Sequence, residues 1–282
     1  MIQDIAPHHF DNQYHPRPAE QEDYVLIFRK QQIYMREDGQ LPRVKELVKE
    51  DQLRLQYLFQ MDQSAYYTLL FEPLKLPEGY AFLMTRQLRT LSDRVIAMAA
   101  ISGYQLWNWY ETRKFCGSCG RIMIHDEKER MMRCDHCGTI EYPKICPAVI
   151  VGVIKEDQII LTRYAGRSFR KDALIAGFCE IGETLEETVR REVMEEVGLH
   201  VKNICYYKSQ PWSFTDTLLV GFFCEADGDE EITMDTNELA MARFVKRADV
   251  PEDEEGISLT GEMMSVFKNG QMNLLNKKFM IK

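Results

Sequence analysis

Long hydrophobic runs are missing from this sequence of 282 residues. No stretch reaches the roughly 18 uninterrupted apolar residues that a membrane-spanning helix needs, which excludes a helical integral membrane protein. Glycine and proline are also scarce, at 16 and 10 residues, so a collagen-like or low-complexity chain does not fit. The first residues lack the basic start and apolar core of a secretion signal, and we therefore expect a soluble, cytoplasmic protein.

Positive charge is in deficit, because 35 Lys and Arg residues face 44 Asp and Glu residues. The net charge of -9 disfavours a protein whose main task is to coat nucleic acid, since that needs a basic surface. A nucleotide substrate stays open, because a divalent metal neutralises phosphates in place of lysines. The length predicts about two domains, and 45% hydrophobic residues are ordinary for a chain with a sizeable core.

Four of the eight cysteines form two C-x2-C pairs inside a short segment, Cys116, Cys119, Cys134 and Cys137. In a reducing compartment such pairs indicate metal ligands before disulfides. A glycine follows each pair and permits a tight turn, so two turns give the tetrahedral four-sulfur shell that zinc prefers. A complete shell of protein ligands leaves no position for a substrate. We therefore expect a structural Zn²⁺ in a zinc ribbon.

The region before the ribbon carries no catalytic motif and predicts an N-terminal α+β domain. Apolar runs predict short strands over 24–28, 32–35, 53–59 and 66–71. Apolar residues at three- and four-residue spacing predict a helix over 85–112. We expect Trp107, Trp109 and Tyr110 at its end to pack the ribbon against this domain rather than to stack on bases. After the ribbon, 147–153 and 158–162 predict two paired strands.

Residues 177–199 read GFCEIGETLEETVRREVMEEVGL and predict an acidic helix. Thr184 and Glu187 have the spacing of a capping box that begins a helix, and Gly198 is suited to end it. Valines at every fourth position, Val189 to Val197, predict the buried stripe.

Three glutamates, Glu192, Glu195 and Glu196, share another part of the same helix. A solvated acidic face is one interpretation, since charged helices often carry one. Two of these carboxylates, however, stand near the helix C-terminus, where the macrodipole disfavours anions. Their cluster therefore favours a site for a hard cation, Mg²⁺ or Mn²⁺.

The same segment resembles the Nudix box, G-x5-E-x7-R-E-U-x-E-E-x-G-U with U apolar. The fixed positions are met by Gly177, Glu183, Arg191, Glu192, Val193, Glu195, Glu196, Gly198 and Leu199. The resemblance implies an α/β fold, an α/β/α sandwich with a mixed sheet, and hydrolysis of a nucleoside diphosphate linked to another moiety.

The resemblance also implies residue roles. Glu192, Glu195 and Glu196 would be the catalytic residues and would ligate Mg²⁺ or Mn²⁺, with Glu196 polarising the attacking water. The carbonyl of Ala176 and the carboxylate of Glu238 would complete the metal site. Glu183 and Arg191 would pair to brace the loop, and Gly177 and Gly198 would support the motif.

A four-cysteine ribbon before a Nudix box resembles the NADH pyrophosphatase subgroup, which includes hydrolases of NAD-capped RNA. Its signature S-Q-P-W-P-F-P-x-S has a counterpart in SQPWSFTDT at 209–217, where Ser213 and Thr215 replace two prolines. This departure bears on substrate preference more than on reaction type. The implied substrate-binding residues are Phe178, Gln210, Pro211, Trp212, Ser213, Phe214, Thr215, Asp216, Thr217, Tyr142, Arg86, Glu129 and Thr260.

The resulting prediction is a homodimeric hydrolase with an N-terminal domain at 1–112, a ribbon at 113–141 and a Nudix domain at 142–282. It would convert NADH or NAD to AMP and the nicotinamide mononucleotide. Three alternatives stay open: another Nudix substrate such as ADP-ribose or a dinucleoside polyphosphate, an NAD cap on RNA, and a non-catalytic nucleotide sensor. For RNA, a basic strip of Arg163, Arg167, Arg170 and Lys171 would guide the 5′ end.

Overall fold

The computed structural model describes residues 1–166, 171–228 and 231–271, which form two compact units. The N-terminal unit comprises Ile2–Lys144 and Ser213–Asp216, and it includes the cysteine segment. The C-terminal unit comprises Met1, Ile145–Trp212 and the residues from Thr217 on. Among the helices of the described ranges, none combines the length and apolar character needed to cross a bilayer.

Three small sheets build the N-terminal unit, with strand orders β1-β5-β6-β2, β3-β4-β7 and β10-β9-β8. The strands are β1 Phe10–Asp11, β2 Tyr24–Leu26, β3 Phe28–Arg29, β4 Gln32–Met35, β5 Leu55–Met61, β6 Ser64–Leu69, β7 Ala81–Met84, β8 Ile124–His125, β9 Met132–Arg133 and β10 Ile140–Glu141. The helices are α1 Lys49–Gln52 and α2 Arg94–Thr112, with 3₁₀ turns at Val44–Glu46 and Thr85–Thr90.

The strand prediction for 24–28 is wrong in one respect, because this run divides between two sheets. β2 pairs with β6, whereas β3 pairs with β4. An apolar run reports that a segment is buried and extended, but not which neighbour it pairs with. The strand predicted at 32–35 is confirmed with the same bounds, and the next two lie about two residues away from their predicted positions.

The helix predicted over 85–112 is interrupted. Thr85–Thr90 forms 3₁₀ turns, and α2 begins only at Arg94. The side chain of Asp93 accepts a hydrogen bond from the Ile96 N–H at 3.0 Å, so this residue caps a new helix. The apolar spacing continued through the break, because 3₁₀ turns also bury every third residue.

The end of α2 packs as the sequence predicts. Trp107, Trp109 and Tyr110 are buried in one apolar cluster with Met123 and Met132 of the ribbon. The Tyr110 ring also stacks on His125 with centroids 4.7 Å apart. His125 is therefore half-buried.

One six-stranded sheet forms the C-terminal unit, in the order β14-β15-β11-β12-β16 with β13 beside β11. Its elements are β11 Cys146–Lys155, β12 Gln158–Tyr164, β13 Ile175–Phe178, α3 Leu185–Val197, β14 Val201–Trp212, β15 Thr217–Ala226, β16 Leu239–Lys246, a 3₁₀ turn Arg247–Asp249 and α4 Leu259–Lys268. β11 and β15 run parallel, and β11 pairs antiparallel with β12 and β13, so the sheet is mixed.

Both faces of this sheet are covered by a helix. Val149, Val151 and Val153 of β11 pack in one cluster with the valine stripe of α3. Ile150 points to the opposite cluster, which contains Leu259 and other residues of α4. This alternation explains why β11 reads as a continuous apolar run, since each face meets a helix. The predicted α/β/α sandwich with a mixed sheet is confirmed.

Gly103 of α2 generates a stability prediction. A methyl group added there would lie 2.1 Å from Leu26 Cδ1, and Leu26 is fully buried. Glycine to alanine normally stabilises an exposed helix by about 1 kcal/mol. Here we expect Gly103→Ala to destabilise the N-terminal unit by about 1–3 kcal/mol through overpacking. Urea unfolding followed by circular dichroism measures this, with Ser102→Ala as control. A stabilised Gly103→Ala variant would contradict the packing.

Candidate functional site

The two cysteine pairs sit on two turns of the same construction. The Gly120 N–H donates to the Cys116 carbonyl at 2.8 Å, and the Gly138 N–H donates to the Cys134 carbonyl at 2.9 Å. Both glycines have positive φ, +73° and +75°. That conformation is strained for residues with a Cβ atom, which explains a glycine after each pair.

The two turns bring the four sulfurs together. All four sulfur atoms lie within 4.8 Å of one another, and the two closest pairs are 3.5 Å apart. Four thiolates around Zn²⁺ at about 2.3 Å would be separated by about 3.8 Å, so the donor set fits a tetrahedral zinc. Cys116 and Cys134 are buried, whereas Cys119 and Cys137 are exposed.

The helix α3 has the predicted ends. Thr184 accepts from the Glu187 N–H, and the Glu187 carboxylate accepts from the Thr184 N–H at 2.8 Å. Gly198 ends the helix with φ of +69°. A Cβ atom at Gly198 would lie 2.9 Å from Thr233 Cβ, so a close chain contact also requires glycine there.

Glu183 and Arg191 form a two-pronged ion pair across the loop before α3. Arg191 Nε donates to Glu183 Oε1 at 2.6 Å, and Nη2 donates to Oε2 at 2.9 Å. The Thr188 hydroxyl donates to the same carboxylate. The Arg191 contact, more than any other, lowers the pKa of Glu183 to about 2. The carboxylate is therefore charged at neutral pH and fixes the loop before α3 to the second turn of the helix.

The carboxylate of Glu192 lies against the backbone of Gly177. A Cβ atom at Gly177 would be 1.8 Å from the carboxyl carbon of Glu192, so only glycine leaves this space. Glu192 is 8% exposed. Burial raises its pKa, the contact with Arg191 lowers it, and the carboxylates of Glu195 and Glu238 raise it again. A desolvated carboxylate beside two others is a suitable donor for a hard cation, which would relieve the repulsion.

The other two glutamates of α3 differ in exposure. The Glu195 side chain is 59% exposed and accepts from Arg191 Nη1 at 2.9 Å. Glu196 is 1% exposed. Its carbonyl accepts from the Asp235 N–H at 3.0 Å, which ties the segment before β16 to the end of α3. Glu238 belongs to that segment and is exposed.

Within residues 1–166, 171–228 and 231–271, the four cysteines are the group of potential metal ligands whose ligand atoms all lie within 4.8 Å of one another. The glutamates surround Arg191 at greater mutual distances. Their donor chemistry nevertheless fits Mg²⁺ or Mn²⁺, because all the donors are oxygens. The Ala176 carbonyl is one of them, and it accepts from the Tyr164 hydroxyl at 3.4 Å. A carbonyl oxygen has two lone pairs, so this bond leaves room for a second partner.

Among the candidate substrate residues of the C-terminal unit, Phe178 and Trp212 lie at strand ends. Phe178 is 55% exposed, and Trp212 is half-buried. Pro211 is exposed, Thr217 is buried, and Thr260 is half-buried in α4.

Gln210 is fully buried, and its carboxamide is occupied by backbone groups. Nε2 donates to the Ile257 carbonyl at 2.8 Å, and Oε1 accepts from the Leu259 N–H at 2.6 Å. This side chain holds the start of α4 to β14, and we therefore assign it a positioning role instead of the expected substrate contact.

The remaining candidates lie in the N-terminal unit. Ser213 is buried, Phe214 packs against the aromatic core, and Thr215 is exposed. Asp216 has φ of +57°, a conformation that aspartate tolerates better than most residues. Burial raises the pKa of Asp216.

Tyr142, Glu129 and Arg86 are exposed in the same unit. The Tyr142 hydroxyl donates to Glu129 Oε2 at 2.8 Å, and this contact raises the pKa of Tyr142. The structure thus brings Tyr142 and Glu129 together.

Two residues of the basic strip predicted to guide RNA are paired with carboxylates, so less of its positive charge is available. Arg163 pairs with Asp172 at 2.5 Å, and Lys171 pairs with Glu255 at 2.8 Å. Arg167 and Arg170 lie outside the described residues.

The sequence analysis missed two hydroxyl contacts at the site. The Tyr164 hydroxyl donates to the Ala176 carbonyl and the Thr188 hydroxyl donates to Glu183, and neither residue belongs to a motif.

Comparison with known proteins agrees with this geometry. The NADH pyrophosphatase zinc ribbon domain matches residues 111–142, and the NUDIX domain matches residues 144–264. A curated NAD-capped RNA hydrolase NudC of Salmonella heidelberg (strain SL476) is 44% identical over 159 residues, 56% of this chain and 62% of that protein. The NudC of Salmonella paratyphi B is 43% identical over the same shares. The match thus spans about three fifths of the curated relatives.

Among solved structures, a NUDIX hydrolase from Nitrosomonas europaea is 22% identical with a TM-score of 0.49 and covers 57% of this chain and 93% of its own. An ADP-ribose pyrophosphatase from Streptococcus suis is 19% identical with a TM-score of 0.33, covering 45% and 91%. The two domain families matched at 111–142 and 144–264 cover both C-x2-C pairs and the whole acidic helix. The chain therefore contains a zinc ribbon domain of the NADH pyrophosphatase type, followed directly by a Nudix domain.

Proposed function

We propose that this protein hydrolyses the diphosphate bridge of NADH or NAD and yields AMP and the corresponding nicotinamide mononucleotide. The observation that carries the proposal is the acidic cluster at α3. Arg191 contacts the carboxylates of Glu183, Glu192 and Glu195, and the Glu192 carboxylate lies against the backbone of Gly177. A ribbon of the NADH pyrophosphatase type in the same chain supports this substrate class.

Glu192, Glu195, Glu196 and Glu238, with the Ala176 carbonyl, would hold catalytic Mg²⁺ or Mn²⁺. When bound, such ions neutralise the diphosphate and lower the pKa of a water molecule. Either ion satisfies this oxygen donor set, so the structure supports a divalent metal without choosing between them.

The protein side chains then carry out the remaining tasks. Water attacks one phosphorus, the bond from that phosphorus to the bridging oxygen breaks, and the second phosphate leaves with that oxygen. We assign the proton from water to Glu196, which is 1% exposed and stands on the same helix as Glu192 and Glu195. Phe178 and Trp212 would stack against the base, where each contact is worth about 1–3 kcal/mol.

For the ribbon we propose a structural Zn²⁺ held by the four cysteines. Its sulfur shell is complete without a substrate, and its buried members lie in the same apolar cluster as α2. Zinc binding would therefore stabilise the folded N-terminal unit.

RNA carrying a 5′ NAD cap is the second candidate substrate. The curated relatives are named for that activity, and the cap contains the same diphosphate bridge. Extensive RNA contact is disfavoured by the net charge of -9 and by the ion pairs of Arg163 and Lys171. We therefore propose that recognition is concentrated on the cap.

We also propose a homodimer. The ribbon exposes large apolar side chains, Phe115, Ile122, Ile124, Ile140 and Tyr142. Large apolar side chains exposed in this number on one small domain favour an interface over a free surface.

Substitution of the proposed proton acceptor tests the mechanism. We expect Glu196→Gln to lower kcat for NADH by about 100-fold or more while the protein stays folded, because the amide accepts no proton. Glu186→Gln on the same helix is the matched control and should keep wild-type turnover. Near wild-type kcat in Glu196→Gln, measured by chromatography of AMP release, would remove Glu196 from this role.

A panel of substrates tests the specificity. NADH, NAD⁺, ADP-ribose, diadenosine polyphosphate and NAD-capped RNA are each supplied with Mg²⁺ or Mn²⁺, and products are separated by chromatography. We expect the highest kcat/KM for NADH or NAD⁺, since the ribbon and signature point to these substrates. Preference for ADP-ribose would keep the Nudix chemistry but reject the substrate. Absence of turnover with all five would favour a nucleotide sensor.

Removal of zinc tests the ribbon. We expect purified protein to contain one zinc per chain, and Cys134→Ser to lose it and to lower the melting temperature of the N-terminal unit. Zinc is measured by atomic absorption, and Cys224→Ser, a buried cysteine outside the ribbon, is the control for zinc content. A zinc-free wild type with unchanged stability would contradict the proposal.

A further inference from the structure

The N-terminal unit contains a cavity of about 970 Å³ that the chemistry above does not use. Its walls come from the segment between β1 and β2, from α1, from β5 and β6, and from the start of the loop after β8. All these residues belong to the same compact unit. Sites for small organic ligands have volumes of roughly 300 to 1,000 Å³, so the cavity is large enough for one.

One wall of the cavity is formed by Tyr57 of β5 and Tyr67 of β6, which lie opposite each other in the strand pairing. Their rings meet edge to face with centroids 5.7 Å apart. The register shifts at Leu58, so that Phe59 pairs with Tyr66 and packs in the apolar core. A bulge re-aims the side chains next to it. This bulge directs Tyr57 away from that core and onto the cavity wall.

Three tyrosines line the cavity, and the hydroxyl of one of them is unpaired. The Tyr67 hydroxyl donates to the Arg17 carbonyl at 2.9 Å, and the Tyr14 hydroxyl donates to the Asp126 carbonyl at 3.4 Å. Tyr57 is 3% exposed, and its hydroxyl makes no hydrogen bond with any residue that the structure describes. Because buried tyrosine hydroxyls usually have a partner, this one indicates a ligand in the cavity.

His125 adds a second unpaired polar atom to the lining of the cavity. Its Nδ1 atom is buried and has no hydrogen-bond partner in the described part of the chain. Burial lowers the pKa of His125, so the ring is neutral at pH 7, and each ring nitrogen is a donor or an acceptor according to the tautomer. A ligand with polar groups on a ring would satisfy such an atom.

The charged side chains of the cavity indicate the class of ligand. Arg17 is already neutralised, since its Nη2 pairs with Asp23 at 2.8 Å. Lys49 and Glu127 are exposed, and neither forms an ion pair with a described residue. An ammonium group binds phosphate, a carboxylate binds ribose hydroxyls, and aromatic rings stack on bases. The lining thus offers a partner for each of the three parts of a nucleotide.

We infer that this cavity binds a nucleoside monophosphate, at a site that shares no residue with the proposed metal site of the Nudix domain. The tyrosine rings contact the base, and the Tyr57 hydroxyl forms a hydrogen bond with it. Glu127 accepts from the ribose hydroxyls, and Lys49 donates to the phosphate. Binding there requires no hydrolysis, so the inference goes beyond the proposed function and does not depend on it.

Hydrogen exchange with AMP as the probe tests whether the cavity is occupied. The purified protein is used without added Mg²⁺ or Mn²⁺. We expect AMP to slow exchange at 14–19 and 49–57, and the concentration dependence gives a Kd for the cavity. The measurement is resolved along the chain, so AMP bound at the Nudix site is detected separately. Slower exchange confined to residues of the Nudix domain, or no change at all, would overturn the inference.

Matched substitutions test the assigned contacts. We expect Tyr57→Phe to raise the Kd for AMP about fivefold, the effect of one neutral hydrogen bond, and Lys49→Met about tenfold, because its partner is charged. Tyr66→Phe removes a buried hydroxyl outside the cavity, and Lys75→Met removes an exposed lysine outside it. Both controls should keep the wild-type Kd. A wild-type Kd in both Tyr57→Phe and Lys49→Met would show that AMP binds elsewhere.

Two further ligands test the class. Adenosine lacks the phosphate, so it should bind the cavity about tenfold more weakly than AMP, with the same Kd in Lys49→Met as in the wild type. A weaker affinity of Lys49→Met for adenosine would overturn the phosphate contact. Benzoate is an aromatic anion without a sugar, and equal protection by benzoate would overturn the nucleotide class. A protein inactive on NADH would leave this site in place, and failure of AMP to bind would leave the proposed hydrolysis in place.

Discussion

The guanidinium of Arg191 is the interaction on which the Nudix site depends. It contacts the carboxylates of Glu183, Glu192 and Glu195 and also donates to the Phe178 carbonyl at 2.9 Å. Three anions that would repel one another are thereby arranged around one cation, and the strand before the loop is tied to the helix after it. Because the side chain is planar with several fixed donors, the arrangement has one geometry, which a lysine would not impose.

The two proposed metal sites differ in how they reduce the repulsion between their donors. In the ribbon, backbone turns closed by Gly120 and Gly138 already bring the sulfurs to within 4.8 Å of one another, so zinc would enter a preformed shell. In the Nudix domain, the carboxylates are charged oxygens near a helix C-terminus, and Glu192 and Glu195 both accept hydrogen bonds from Arg191. Binding of a divalent cation there competes with contacts to Arg191. A structural ion gains from preformed donors, whereas a catalytic ion benefits from ligands that can adjust during the reaction.

Prediction from sequence succeeded where the determinants are local. The capping box of Thr184 and Glu187, the end of α3 at Gly198 and the cysteine turns each depend on residues a few positions apart. It failed where the determinant is a distant partner. The division of 24–28 between two sheets and the bulge at Leu58 follow from which strand lies alongside, and no local pattern encodes that. The site divides similarly, since the box is contiguous while the Tyr164 hydroxyl reaches Ala176 across the sheet.

The second motif, at 209–217, contains a residue that stabilises the fold besides those proposed to contact the substrate. Gln210 stands in it, yet its carboxamide is fully buried and pairs with the backbone of Ile257 and Leu259. Two residues further on, Trp212 is half-buried at the end of β14. A clamp of this kind fixes the strand through side-chain hydrogen bonds, so the turn beyond it depends less on rigid prolines. That gives a physical reason to expect that Ser213 and Thr215 can stand where the signature has proline. The backbone geometry is set from Gln210, and the substitutions change local stiffness more than placement.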